Sequence, residues 1–130
     1  MTPRGRVVLG IGARSGVRDE ELDEAAQAAV ALTGAEVDAV ATVERRGAAV
    51  RALATRRGWE LLLFSDDELA EMDTPNVVRL TGAPSVAEAA ALRGAGPGAT
   101  LLLTKKAFPS VTVAIAAVVI ATTVAIAATG

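Results

Sequence analysis

The stretch Val7–Gly16, VVLGIGARSG, is the most informative part of the sequence, because an apolar run passes directly into closely spaced glycines. The apolar run predicts a short buried strand over Arg6–Leu9 that ends at a loop beginning with Gly10. The glycines that follow predict a tight turn that opens a helix. Unpaired backbone N–H groups and the helix dipole at such a turn favour negative charge, so this stretch is also a candidate anion site.

Outward from this stretch, apolar residues recur with alternating helix and strand periods. The predicted helices are Asp19–Thr33, Ala48–Arg57, Ser65–Met72 and Ser85–Arg93. The predicted strands are Val37–Val43, Trp59–Phe64, Val77–Leu80, Thr100–Thr104 and Val111–Ala116. Trp59–Phe64 is almost wholly apolar, which predicts burial on both faces. This order predicts an α/β fold, a single three-layer domain with a mostly parallel sheet, helices on both faces and an antiparallel C-terminal pair of strands.

Capping signals support these boundaries. Acidic residues fill the first turn of the helix that begins at Asp19, and Gly34 is placed to end it. Gly58 is placed to end the second helix, and Gly94–Gly98 predicts a break after the last helix.

Composition excludes several classes of function. The net charge of -2 and the pI near 5.1 argue against a nucleic-acid partner, and a chain with 2% aromatic residues offers little for base stacking. The first residues lead into glycines and lack the apolar core of a signal peptide, so we expect a cytoplasmic protein without a membrane partner. The chain has no cysteine and no histidine, which excludes thiol chemistry and removes the usual general base. We expect no metal site and no cofactor.

The first glycine turn does not match the known phosphate-binding motifs. Its spacing is G-x-G-x-x-x-G rather than the dinucleotide pattern G-x-G-x-x-G, and no Gly-Lys-Ser/Thr follows. A nucleotide site and a tight turn without any ligand both stay open as alternatives. An arginine inside a glycine turn at a strand end is well placed to bind a carboxylate. The candidate ligand-binding residues of this turn are Gly10, Gly12, Arg14, Ser15 and Gly16.

A second glycine-marked turn, TGAPSVAE over residues 81–88, precedes an alanine-rich helix. Ser85 and Glu88 have the spacing of a capping box, which alone explains both residues. Thr81 and Gly82 still leave backbone N–H groups open, so Thr81, Gly82 and Ser85 are candidate ligand-binding residues. If the two turns converge, the ligand should carry several carboxylates or phosphates.

Charged residues near the strand ends complete the set of candidates. Lys105 ends a predicted strand and would add positive charge, although such lysines are usually solvated. Glu44, Arg45 and Arg46 follow the second strand, at the edge where ligands bind in α/β sheets. In a chain without histidine or cysteine a base would have to be a carboxylate, which makes Glu44 and Glu88 the candidate catalytic residues.

The last part of the chain is uncharged from residue 107 to residue 130, and the sequence TVAIAA over 112–117 recurs over 123–128. The segment from residue 111 could span a bilayer by its length, but it has no leucine and no aromatic belt, and its β-branched residues favour strands. We therefore divide the chain into a domain over 1–117 and an apolar repetitive tail over 118–130.

Several short motifs resemble one family in their order and spacing. They are VLGIGARSG (8–16), ATV (41–43), FSDDEL (64–69), PN (75–76), TGAPSVAEAAAL (81–92), and Lys105 followed by TVAIA (112–116). Over residues 6–117 the chain resembles the cobalamin-biosynthesis CobE family, which is also the C-terminal domain of CbiG. The stretch over 81–92 carries most of this specificity. The family often has cysteine where this chain has Ala13, so a role that needs a thiol there is absent.

The resemblance implies a role in building the corrin ring. CbiG proteins are cobalt-precorrin-5A hydrolases, which open the ring-A lactone and release acetaldehyde, and we expect this chain to act without the N-terminal domain found in CbiG. The implied function is binding of a polycarboxylate precorrin as a carrier or accessory subunit, and the alternative is the hydrolase reaction itself. The implied partners are a precorrin or cobalt-precorrin intermediate and other cobalamin-pathway enzymes. Cobalt would be present only on that ligand.

Overall fold

The computed structural model describes residues 6–70 and 85–118, which form ten helices and strands. In chain order they are β1 (Val7–Ala13), α1 (Asp19–Thr33), β2 (Ala39–Val43), a 3-10 turn (Glu44–Arg46), α2 (Gly47–Arg57), β3 (Glu60–Phe64), α3 (Asp66–Ala70), α4 (Val86–Ala95), β4 (Ala99–Ala107) and β5 (Val111–Val118). The predicted helix over Asp19–Thr33 is confirmed, because α1 spans these residues. Gly34 adopts the left-handed conformation that ends it.

The sheet has the strand order β3-β2-β1-β5-β4. β1 pairs in parallel with β2, and β2 with β3, whereas β5 is antiparallel to both β1 and β4. Four strands therefore run in one direction and only β5 opposes them. This arrangement confirms the predicted α/β fold with a mostly parallel sheet and an antiparallel C-terminal pair.

Helices cover both faces of the sheet, as predicted. Alternate residues of β1 point to opposite faces. Leu9 and Ile11 are fully buried in a cluster that includes Leu22 of α1 and Leu53 of α2. Val8 points the other way and packs with the alanines of α4. The small side chains of α4 allow the helix to lie close to the sheet.

The prediction that Gly10 begins a loop is wrong. β1 continues through Ala13, and both Gly10 and Gly12 lie inside the strand, where they pair with β5. A Cβ atom at Gly10 would lie 1.9 Å from the carbonyl oxygen of Ala87 in α4. The glycine is therefore needed because the backbone of α4 approaches the strand there, and not because the chain turns.

Other boundaries also differ from the sequence prediction. Gly94 does not break the last helix but lies within α4, where a Cβ would meet the side chain of Val8 at 2.9 Å. β3 is half-buried rather than buried on both faces, because it lies at an edge of the described sheet. β5 extends to Val118, one residue into the predicted tail.

Two predicted segments fall outside the described residues. They are the strand over 77–80, together with the candidates Thr81 and Gly82, and the tail over 119–130. Within residues 6–70 and 85–118, no helix combines the length and apolar character needed to cross a bilayer.

Candidate functional site

An open cleft of about 440 Å³ lies at the carboxyl end of β1. Three segments line it: the end of β1 with Arg14, the start of α4 at Ser85–Ala87, and the turn between β4 and β5 at Ala107–Thr112. The structure thus brings together Gly12, Arg14 and Ser85, which the sequence places far apart. The carboxyl edge of a mostly parallel sheet is the usual position for ligand binding in such folds.

Arg14 is the one charged residue among the described residues that line the cleft. Its backbone N–H donates to the carbonyl oxygen of Ser110 at 3.1 Å, and its own carbonyl accepts the N–H of Val17 at 3.2 Å. These bonds fix the backbone of Arg14 between β1 and the β4–β5 turn, while its side chain is exposed. Because no acidic side chain joins it in this lining, the cleft favours a negatively charged ligand.

The predicted capping box of α4 is confirmed at the opposite wall. The Ser85 hydroxyl accepts the N–H of Glu88 at 3.1 Å, and the Ser85 N–H donates to Oε1 of Glu88 at 3.3 Å. The second carboxylate oxygen, Oε2, accepts the backbone N–H of Lys105 at 3.0 Å. Glu88 is 4% exposed, so this buried carboxylate joins the start of α4 to the middle of β4.

The remaining candidates lie around the cleft and not in its lining. Lys105 is inside β4 rather than at its end, and its side chain is exposed. Glu44 is exposed in the 3-10 turn after β2. Ser15 and Gly16 form the exposed turn that follows Arg14, where Gly16 has φ of 82°. Gly10 lies beneath α4.

Only one of the two predicted helix N-termini lines the cleft. The start of α1 already carries three acidic residues in its first turn, and Oε1 of Glu21 accepts the N–H of Arg18 at 3.0 Å. These carboxylates supply the negative charge that the dipole of α1 favours. The start of α1 is therefore already occupied by its own carboxylates, and the features of the described cleft that favour an anion are Arg14 and the start of α4.

Arg46 was not among the predicted ligand-binding residues, yet it reaches the same edge of the sheet. Its Nε donates to the carbonyl oxygen of Ala13 at 2.8 Å. The neighbouring Arg45 instead pairs with Asp66 at the start of α3. Its position in the turn after β2 places Arg46 at this edge, where the carboxyl ends of parallel neighbours meet, but nothing in the sequence separates it from Arg45.

No group of three or more carboxylates in the described part of the chain is arranged to hold a metal ion. Two described carboxylates, Glu21 and Glu68, instead accept backbone N–H groups. Hydrogen bonding to the backbone N–H of Arg18 and then to the Ser110 side chain lowers the pKa of Glu21. Hydrogen bonding to the N–H of Ser65 lowers the pKa of Glu68 in the same way.

These lowered pKa values predict a loss of stability in acid. A carboxylate whose pKa is lower in the folded protein stabilises it above the pKa of the unfolded chain, and this contribution fades as the pH falls through the folded-state pKa. Both side chains are only partly buried, with relative exposures of 28% for Glu21 and 44% for Glu68, so the effect should be modest. Thermal unfolding of the Glu21→Gln, Glu68→Gln double variant should depend less on pH across the acidic range than unfolding of the parent. If the unfolding temperatures of the two proteins change equally with pH, Glu21 and Glu68 are not the source of the acid sensitivity.

Comparison with known proteins identifies the family that this chain resembles in sequence and fold. The family model described as cobalamin synthesis G C-terminus matches residues 7–116. The crystal structure of cobalamin biosynthesis protein chiG from Agrobacterium tumefaciens str. C58 is 32% identical, covers 86% of this chain and 98% of its own, and superposes with a TM-score of 0.74. The structure of CobE, a protein from the cobalamin biosynthetic pathway, is 29% identical, with 88% and 91% coverage and a TM-score of 0.69.

A cobalamin biosynthesis protein G homologue from Sulfolobus solfataricus shares the fold, with a TM-score of 0.72 at 21% identity. The match covers 86% of this chain but only 36% of that one. No curated protein matches the chain. The family model spans most of the sequence, and a relative of 32% identity is covered almost completely. The chain belongs to the cobalamin synthesis G C-terminus family and is a cobalamin biosynthesis protein of the CbiG and CobE type.

Proposed function

We propose that the protein binds a polycarboxylate precorrin intermediate in the cleft at the end of β1, and that it serves the pathway as a carrier or accessory subunit. The observation that carries this proposal is that, among the described residues of the lining, Arg14 is the one cation and no side chain is acidic. A precorrin bears many acetate and propionate groups, so a cation beside a helix N-terminus suits its rim. Family membership supplies the choice of a tetrapyrrole over other polycarboxylates.

The apolar part of the lining supports a ligand with a flat ring. Val86 lies at the start of α4, and Phe108 and Pro109 lie in the β4–β5 turn; all three line the cleft. Small-molecule sites typically combine such an apolar surface with a few polar groups that fix orientation. The ring would contact the apolar residues while its carboxylates reach Arg14 and the first N–H groups of α4.

The hydrolase alternative has less support from the positions of the carboxylates. A general base must present a free oxygen to the attacking water. Glu88 is buried, and each of its oxygens accepts a backbone N–H. Glu44 is exposed in the 3-10 turn and does not line the cleft. The nucleotide alternative is weaker as well, because Gly10 makes room for α4.

The first test is a titration of the purified protein with cobalt-precorrin and metal-free precorrin intermediates. The tetrapyrrole spectrum reports binding, and acetaldehyde is assayed in the same cuvette. We expect a saturable spectral change without acetaldehyde. Acetaldehyde release in proportion to protein would instead establish the hydrolase alternative, and an unchanged spectrum with every intermediate would reject the proposed ligand class.

Arg14→Ala should weaken binding of the precorrin by about tenfold or more, because a hydrogen bond to a charged group is lost. The fold should stay intact, since the side chain of Arg14 is exposed. Arg51→Ala is the matched control, because Arg51 is exposed on α2 outside the cleft and its loss changes the net charge equally. Equal affinities of the two variants would remove Arg14 from the site.

A further inference from the structure

Arg46 approaches the end of β1 from the neighbouring strand. Its Nε donates to the carbonyl oxygen of Ala13 at 2.8 Å, and its side chain is half-buried there. Two arginines therefore lie at the end of β1. Arg14 follows Ala13 in the chain, and Arg46 is held to Ala13 by its hydrogen bond.

Within the described residues, neither of these arginines forms an ion pair. Other described arginines do: Arg45 pairs with Asp66, and Arg93 pairs with Glu68. Arg45 and Arg46 lie in the same 3-10 turn, so the immediate surroundings of each side chain determine whether it forms an ion pair. Arg14 lines the cleft, and Arg46 lies just outside this lining, bonded to the carbonyl of the lining residue Ala13. Two cations without described carboxylate partners at this position favour an anionic ligand.

The bond to Ala13 also prepares Arg46 for binding. A guanidinium has five N–H donors, and the carbonyl of Ala13 occupies the one on Nε. The donors on the terminal nitrogens stay available to an anion. Because the side chain is already held, less conformational entropy is lost when a ligand binds than for a free arginine.

We infer that Arg46 is a second carboxylate anchor of the cleft, so that the site selects ligands with carboxylates on both sides of the β1 end. The inference rests on the proposed function, because it names a specificity residue of the same site. A ligand with a single carboxylate engages either Arg14 or Arg46. A polycarboxylate macrocycle engages both.

The test uses uroporphyrin, a stable planar tetrapyrrole with eight carboxylates, and follows its fluorescence as the protein is added. Arg46→Gln should weaken binding by about tenfold. Arg45→Gln removes the same charge from the neighbouring position and should leave the affinity within about twofold, because Arg45 is already paired with Asp66. Mesoporphyrin, which has two carboxylates on one edge of the ring, should discriminate much less between Arg46→Gln and the parent.

A second measurement needs no variant and so does not depend on folding. The Nε–Hε NMR signal of Arg46 in the parent protein should shift when uroporphyrin is added, whereas that of Arg45 should not. If the parent binds uroporphyrin and Arg14→Ala weakens it, while Arg46→Gln behaves like Arg45→Gln and the Arg46 signal is unmoved, the second anchor is overturned and the proposed function stands. If the parent binds no uroporphyrin, the second anchor is overturned, whereas the proposed function is rejected only if the precorrin intermediates also fail to bind.

Discussion

Replacing Gly10 with alanine should lower the free energy of unfolding by about 3 kcal/mol or more, because the added Cβ cannot be accommodated. It would lie 1.9 Å from the carbonyl oxygen of Ala87 and 2.7 Å from the backbone nitrogen of Ala91. Both of these atoms belong to the backbone of α4, so no side-chain rotation can relieve the overlap. The helix would have to move off the sheet, which would open the core around Val8. Urea denaturation followed by far-ultraviolet circular dichroism measures the change.

Gly12→Ala is the matched control for this prediction. Gly12 lies two residues further along β1, on the same face, but a Cβ there would meet its nearest atom, Cβ of Val86, at 3.5 Å. This is an ordinary contact, and alanine loses less backbone entropy on folding than glycine. The control should therefore change stability by less than about 1 kcal/mol in either direction. Similar losses in both variants would show that β1 is sensitive to any side chain, and that the approach of α4 at Gly10 is not the cause.

Glu88→Ala should cost about 2 to 3 kcal/mol of stability, because it leaves two backbone N–H groups without their acceptor. One is the N–H of Ser85 at the start of α4, and the other is the N–H of Lys105 in β4. The carboxylate is buried, so water is poorly placed to replace it at the helix end. The variant should also speed hydrogen exchange at the amide of Lys105, which reports the link between α4 and β4 directly.

The chain contains its own control for Glu88. Ser65 and Glu68 form the same capping box at the start of α3, where the Ser65 hydroxyl accepts the N–H of Glu68 at 3.0 Å. Glu68 is only partly buried, and its other contact is an exposed ion pair with Arg93. Glu68→Ala should therefore cost about 1 kcal/mol or less. Equal costs for Glu68→Ala and Glu88→Ala would mean that capping alone explains both residues, without the bond to Lys105.

The parts of the fold that depend on local chemistry were predictable from the sequence. α1 begins and ends where its acidic first turn and Gly34 place it, and both Ser-x-x-Glu boxes cap the helices that they precede. These signals lie within a few residues of the structure they determine. The same holds for the strand character of Val111–Val118, which follows from its β-branched residues.

The errors arose where a residue acts through a distant partner. A glycine that permits a turn and a glycine that permits a close approach look the same in a sequence, and Gly10 is of the second kind. Arg46 is one of three charged residues in a short turn, and only the position of Ala13 distinguishes it from Arg45. Phe108 and Pro109 line the cleft, but apolar residues in a turn have no pattern that indicates a ligand.

The position of β5 has a consequence for the order in which the protein is built on the ribosome. β5 lies between β1 and β4, and its pairing joins Val7 to Ala117, almost the full length of the domain. Such contacts close a long loop and form slowly compared with local ones. The chain emerges from its N-terminus, so β1 gains its second neighbour only after nearly the whole domain has been translated. The cleft is also completed late, because its walls are formed by β1, α4 and the β4–β5 hairpin. A nascent chain that still lacks β5 therefore has not yet assembled the cleft in which we propose that the tetrapyrrole binds.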